Sequence, residues 1–208
     1  MEWQAVARRF LVAGTCAMAS PALAADATQV AKAFDFHARH VEVGFDVRMG
    51  IGAFTGDLGT RTDVGPTFGI NALAQPWSLV GVELGYEGQR LPIDDLRVPA
   101  DASLWRHNGT LLGKFGPLLK RNWRPFIGAG FGLSYLNPSD DTRGVYSTDV
   151  QTEFPVAAGV DYRVGHIFAG VRATYRFVGG EGLTLIPGTQ NESRGGLFNG
   201  NLAVGGHF

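Results

Sequence analysis

Cysteine is nearly absent: the 208 residues contain one, Cys16. It lies in the N-terminal stretch "MEWQAVARRFLVAGTCAMASPALAADA", so a chain processed beyond that stretch has neither thiol nor disulfide. Excess charge is also missing. The formal net charge is -1 with 45% hydrophobic residues, which argues against a basic nucleic-acid binder and against a charged disordered tail. Outside the N-terminus no apolar run reaches the length of a membrane-spanning helix, and no segment shows a helical period. What is abundant is glycine, 30 residues spread without a collagen repeat, in a chain long enough for one domain of ordinary size.

The N-terminus has Arg8 and Arg9, then an apolar run from Phe10 to Ala19, then Pro21, Ala22, Leu23 and Ala24. A basic patch, a short apolar stretch and an Ala-x-Ala ending form the pattern of a secretory signal, with cleavage expected after Ala24.

From Val41 the chain alternates. Val41, Val43, Phe45, Val47, Met49, Ile51 and Ala53 fall on one side, and Glu42, Gly44, Asp46, Arg48, Gly50 and Gly52 on the other. Such a period of two is a strand with one apolar face. The pattern recurs at Phe68 to Ala72, Val80 to Glu87, Trp105 to Phe115, Trp123 to Tyr135, Thr152 to Val164, Ile167 to Phe177 and Gly196 to Phe208. About eight strands of roughly ten residues are expected, the number and length of a small transmembrane barrel. Short connections ("AQPWSL", "LLKRNWRP", "RVGH") alternate with long ones rich in Gly, Asp, Pro and Thr, as they do when all short turns lie at one membrane face.

Alternation does not tell a membrane barrel from a water-soluble one, but glycine placement does. Gly81, Gly85, Gly128, Gly130, Gly132 and Gly170 fall on the polar face among the charges. In water that placement weakens strands for no return. On the concave side of a narrow barrel it leaves room for long charged chains, and the bulky apolar face then meets lipid. Aromatic residues agree. Trp77 and Trp123 lie at short turns, while Tyr86, Trp105, Tyr135, Phe154, Tyr175 and Phe177 lie toward the long-loop ends, as two interfacial belts. The expected fold is all-β, an eight-stranded antiparallel up-and-down transmembrane β-barrel. Its expected organisation is a signal peptide at 1–24, an N-terminal periplasmic segment at 25–40 and a barrel at 41–208.

The strand "VEVGFDVRMGIGAF", the segment "RPFIGAGFGLSYL" (Arg124 to Leu136) and the terminal Phe208 together resemble the small eight-stranded outer-membrane barrels of Gram-negative bacteria, especially the barrel domain of the outer-membrane protein A family. The resemblance spans nearly all of the chain after the signal. It implies insertion by the barrel-assembly machinery, with Phe208 and the last strand as the assembly signal, and surroundings of outer-membrane lipid and lipopolysaccharide. The chain departs from full-length members in ending at the barrel, so no periplasmic cell-wall-binding domain is expected. A monomer is expected, with no cofactor, no metal and no nucleic-acid partner.

By parity Glu42, Asp46, Glu83, Glu87, Glu153 and Asp161 face inward against Arg48, Arg106, Lys114, Arg163, Arg172 and Arg176. Confined charges are tolerated when paired, so a lumenal salt-bridge network filling the bore is expected, with Asp161 the expected partner of Arg172. The implied role is structural or surface-interacting. The alternatives are a passage for small solutes and an outer-membrane lipid A-type acyl hydrolase. The hydrolase resemblance requires a His-x-Ser pair near the outer end of a strand, yet the seventh strand, "VRATYRFVGG", has neither residue. His107 has Ser103 and Asp101 nearby in sequence, but their spacing on a strand assures no triad. His37, His40, His166 and His207 fall on different segments, and "GIGAFTG" opens no helix and is no dinucleotide fingerprint.

Overall fold

The computed structural model describes residues 38–56, 58–60, 62–93, 99, 102–139, 148–179 and 196–208. Cys16, the expected cleavage point at Ala24, His37 and Asp101 lie outside the described residues. Eight strands follow one another as β1 (Ala38–Phe54), β2 (Gly65–Trp77), β3 (Val80–Pro92), β4 (Ser103–Phe115), β5 (Trp123–Pro138), β6 (Asp149–Val164), β7 (Ile167–Gly179) and β8 (Gly196–His207). Each strand pairs antiparallel with the next, and β8 returns to β1, so the sheet is a closed barrel without an edge.

The closing ladder sets Gly44 opposite His207 and Phe54 opposite Leu197. The Phe208 amide extends it by one bond, donating to the Val43 carbonyl at 2.8 Å, and the Phe208 ring stacks on Phe45 with centroids 5.9 Å apart. Alternation therefore runs to the last residue because every residue up to the last is paired in the sheet. Hydrocarbon cannot hydrogen-bond a free strand edge, so closure is the only way to satisfy those backbone groups in a bilayer.

The two faces divide as the alternation predicts. Met49 is 68% exposed, whereas Asp46, three positions away on the opposite face, is 1% exposed. Ile70, Leu84, Ile127, Val171 and Leu202 continue the exposed apolar wall round the barrel. A continuous wall of this kind is far larger than the apolar patches water tolerates on a monomer, and it fits a lipid surround. Among the described residues no helix is long and apolar enough to cross a membrane.

Several strands run further than the alternation marks. β3 continues to Pro92, β5 to Pro138, and β1 starts at Ala38, where its register against β2 shifts between Ala38 and Glu42. The extensions at the long-loop end are hidden from the sequence because inward positions there turn apolar, as at Leu91 and Leu136, and the two faces stop differing.

One short turn carries local strain. Between β4 and β5 the Asn122 amide donates to the Leu119 carbonyl at 3.2 Å, and the two residues between them, Lys120 and Arg121, have φ of 50° and 66°. Two consecutive positive φ values define a type I′ hairpin turn, which favours Asn-Gly, and left-handed backbone costs a side-chain-bearing residue about 1–2 kcal/mol. Replacing Lys120 by Asn and Arg121 by Gly together is expected to stabilise the barrel by about 1–2 kcal/mol. An unchanged urea midpoint for refolding into lipid vesicles contradicts this account of the turn.

Candidate functional site

The interior is layered. At mid-height β1, β3, β4, β6 and β7 contribute Asp46, Arg48, Glu83, Lys114, Asp161 and Arg172. Glu83 is the hub: Arg172 donates to it with both terminal nitrogens at 2.8 Å, and Arg48 and Lys114 each reach it at 2.9 Å. Arg48 also reaches Asp46 at 2.8 Å and Lys114 reaches Asp161 at 2.9 Å, so three cations face three carboxylates. The Phe126 ring lies against this layer, 3.9 Å from Lys114 Nζ and 4.8 Å from Arg172 Cζ, a cation–π platform within the polar bore.

Toward the long loops lies a second balanced group. Arg106, fully buried, donates through Nε to Glu153 at 2.7 Å and through Nη1 to Glu87 at 2.9 Å. Arg176 donates to Glu87 at 3.1 Å, and its Nε lies 3.1 Å from Glu153. Remaining acceptor positions are filled by neutral donors: Asn199 to Glu87 at 2.9 Å, Asn108 to Glu153 at 3.1 Å, and the Ser134 hydroxyl to Glu153. Saturating each carboxylate in this way lets ions persist where water is scarce. Toward the short turns, Arg163 pairs with Glu42 at 3.0 Å, and Arg124 donates to Gln75 and, at 2.9 Å, to the Ser78 carbonyl.

Glycine makes room for these chains. A Cβ on Gly85 would collide with the Asn71 carboxamide, and one on Gly170 with the Asp161 carboxylate. Above the upper ion pairs the bore ends in an apolar cap of Phe54, Leu91, Ile93, Ala102, Leu104, Leu136 and Leu197, with Val178 packed against it. Two cavities of about 30 Å³ lie among the described residues, each large enough for about two waters. The Arg48–Glu83–Arg172 region borders one and Arg124, Arg163 and His207 border the other, and both touch Glu83.

Glu42, Asp46, Arg48, Glu83, Glu87, Arg106, Lys114, Glu153, Asp161, Arg163, Arg172 and Arg176 thus all point into the bore. The expected Arg172–Asp161 pair is not formed. Arg172 reaches across to Glu83, and Asp161 holds Lys114. In so narrow a barrel an arginine spans the diameter, so the partner comes from the opposite wall and not from the adjacent strand. The neutral amides, Arg124 and the apolar cap were not anticipated. The cap was nevertheless readable, since Leu91, Leu104, Leu136 and Leu197 all fall on the inward parity.

On the outer wall, Trp77 and Trp123 sit exposed beside the short turns, Trp123 packing on Tyr162 at 4.7 Å. At the other end Tyr175 packs edge-on against Phe177 at 4.9 Å, and Tyr135 lies opposite His107. Trp105 stacks on His107 at 6.2 Å and His107 on Tyr86 at 6.1 Å. His107 Nδ1 is 2.7 Å from the Tyr86 hydroxyl, so this ring nitrogen is engaged by a tyrosine and not by Ser103. His166 and His207 come together at a short turn, the His207 amide donating to the His166 carbonyl at 2.8 Å. Among the described residues no three metal-ligating side chains cluster.

A family model for the outer membrane protein beta-barrel domain matches residues 10–204. Among solved structures, the fold is similar to Neisserial surface protein A, at 15% identity over 83% of this chain and 99% of that one with a TM-score of 0.56. It is similar to Ail, the attachment invasion locus protein of Yersinia pestis, solved with the heparin analogue sucrose octasulfate, at 11% identity over 82% and 100% of the two chains with a TM-score of 0.56. It is also similar to OprG from Pseudomonas aeruginosa, at 14% identity over 83% and 97% with a TM-score of 0.53. No curated protein sequence matches significantly. At these identities the structural likeness is one of fold.

Proposed function

Because the chain belongs to the outer membrane protein β-barrel domain family, a group of small barrels of the bacterial outer membrane, we propose that it is a closed, non-conducting barrel whose work is structural and surface-directed. The observation that carries this reading is the filled bore: two charge-balanced ion-pair layers lie under an apolar cap, and two cavities described among these residues each have room for about two waters. A charged solute entering the bore must displace partners from buried ions, which is strongly unfavourable. Such a barrel serves by holding its long loops at the cell surface and by packing with the surrounding lipid. In this reading a signal peptide is removed after Ala24, and the segment from residue 25 up to the start of β1 at Ala38 lies in the periplasm.

Phe208, hydrogen-bonded to β1 and stacked on Phe45, is suited to be the assembly signal, because it completes the seam that the assembly machinery must close. Every strand has two neighbours, so none is left free to pair with a second chain, which favours a monomer. The belts of Trp77 and Trp123 on one side and Tyr86, Trp105, Tyr135 and Tyr175 on the other are the anchors that set its depth.

Single-channel recording of the purified barrel in planar bilayers tests the reading. We expect no sustained conductance steps. Regular steps that survive repurification overturn it in favour of the solute passage, for which the two cavities on either side of Glu83 are the natural stations. Release of acyl chains from lipid A by the purified protein overturns it in favour of the hydrolase.

A further inference from the structure

Among the strand residues whose side chains are described and face outward, Arg90 is the only one with a formal charge. It is exposed, and among the described residues it has no ion-pair or hydrogen-bond partner. Its height is informative. Arg90 lies ten residues along β3 from Val80, which follows the short turn. Ten residues at about 3.3 Å each, tilted about 40°, climb about 25 Å, the height of the apolar band. The guanidinium therefore emerges where hydrocarbon gives way to headgroups on the long-loop side.

Its neighbours make this place more than a lone charge. Arg90 lies directly opposite Trp105 on β4, and His107, two residues on, is its diagonal neighbour on the same face. Trp105, His107 and Tyr86 form a continuous stack that fixes the imidazole plane. The Tyr86 hydroxyl occupies Nδ1 and leaves Nε2 without a partner among the described residues; in the tautomer in which the hydroxyl donates to Nδ1, Nε2 carries the imidazole proton. An exposed forked cation and a half-buried imidazole with an unpartnered Nε2 thus share one patch beside an indole ring, and in the Nε2–H tautomer that nitrogen is a donor. A guanidinium matches phosphate oxygens two at a time, and an added N–H suits the third.

We propose that Arg90, His107 and the Tyr86–Trp105 stack form a binding site on the outer wall for a phosphate of lipopolysaccharide in the outer leaflet. The site rests on the outer-membrane reading with the long loops outside. The ligand is a membrane-embedded phosphorylated glycolipid because the patch faces sideways into lipid at headgroup height, so the ligand's acyl chains would lie along the exposed wall below it.

The test compares wild type with Arg90→Gln, Arg90→Lys and His107→Phe, the last keeping a stacked ring without the donor. Each protein is reconstituted in phosphatidylcholine nanodiscs and titrated with purified lipopolysaccharide, with the same lipopolysaccharide enzymatically dephosphorylated, and with phosphatidylglycerol, bound lipid being counted by native mass spectrometry. Arg90→Gln is expected to weaken capture of the phosphorylated form about tenfold, the size of one charge-assisted pair, with Arg90→Lys intermediate and His107→Phe a smaller loss. Dephosphorylated lipopolysaccharide should bind weakly and without regard to the substitution. Equal capture by wild type and Arg90→Gln overturns the site, as does capture that ignores dephosphorylation. Arg90-dependent capture of phosphatidylglycerol in preference to lipopolysaccharide overturns the choice of ligand. A wild-type chain that fails to show heat-modifiable mobility in lipid overturns the membrane reading itself, a result distinct from the others.

Discussion

Glu83→Gln is expected to destabilise the barrel by about 3–5 kcal/mol, the usual consequence of removing one partner from a buried ion cluster. The carboxylate neutralises Arg172, Arg48 and Lys114 at once, at 2.8 and 2.9 Å, in a part of the bore where Glu83 itself is 3% exposed. Its loss leaves three cations facing two carboxylates, Asp46 and Asp161. Adding Arg172→Gln restores the balance to two against two, so the double variant should be more stable than Glu83→Gln alone by about 1–3 kcal/mol. Adding Arg163→Gln instead should recover nothing, because Arg163 pairs with Glu42 in another layer. Urea titrations of folding into lipid vesicles measure all four proteins. If Glu83→Gln is neutral, or if Arg163→Gln rescues as well as Arg172→Gln, the hub assignment is wrong.

One position away the opposite face is tested. Val171 faces lipid between Val160 and Leu202, four residues above the turn that precedes β7, which is near the bilayer midplane. Val171→Arg is expected to cost about 2–4 kcal/mol, the typical penalty for arginine at mid-depth on a barrel's lipid face. No lumenal substitution should recover that loss, since the new charge has no route into the bore. A neutral Val171→Arg in the same titration excludes a hydrocarbon surround for this wall.

The sequence made the barrel's faces readable because a period of two needs only local information: Val47 and Arg48 differ in hydropathy, and the pleat sends them to opposite sides. It made the closure readable through the alternation that persists to Phe208. It did not make the ion-pair partners readable. Adjacency in the sheet follows from register, but Arg172 on β7 reaches Glu83 on β3 across the bore and Arg106 on β4 reaches past β5 to Glu153 on β6, and such reaches depend on strand tilt and barrel diameter. The apolar cap escaped notice for a different reason. Where Leu91, Leu104 and Leu136 face inward and apolar residues also face outward, alternation fades and the strand ends look like loops. Arg90 does not stand out in the sequence, because one cation among apolar residues near a strand end reads as the start of a loop.

Seven of the eight ladders join strands that follow one another in the chain, and only the β1–β8 ladder joins its ends, Gly44 to His207, about 160 residues apart. This difference vanishes in the finished barrel and dominates while it forms. A hairpin closes a short loop, whereas the last ladder closes one whose entropic cost exceeds that of a ten-residue loop by about 2 kcal/mol. Seven ladders therefore assemble by local zippering into a curved open sheet, and the eighth waits. Until it closes, β1 and β8 are bare edges able to pair with any passing strand, including those of another copy. The interval before the seam shuts is when the chain most needs shelter, and its length is set by chain connectivity and not by the strength of any contact in the final fold.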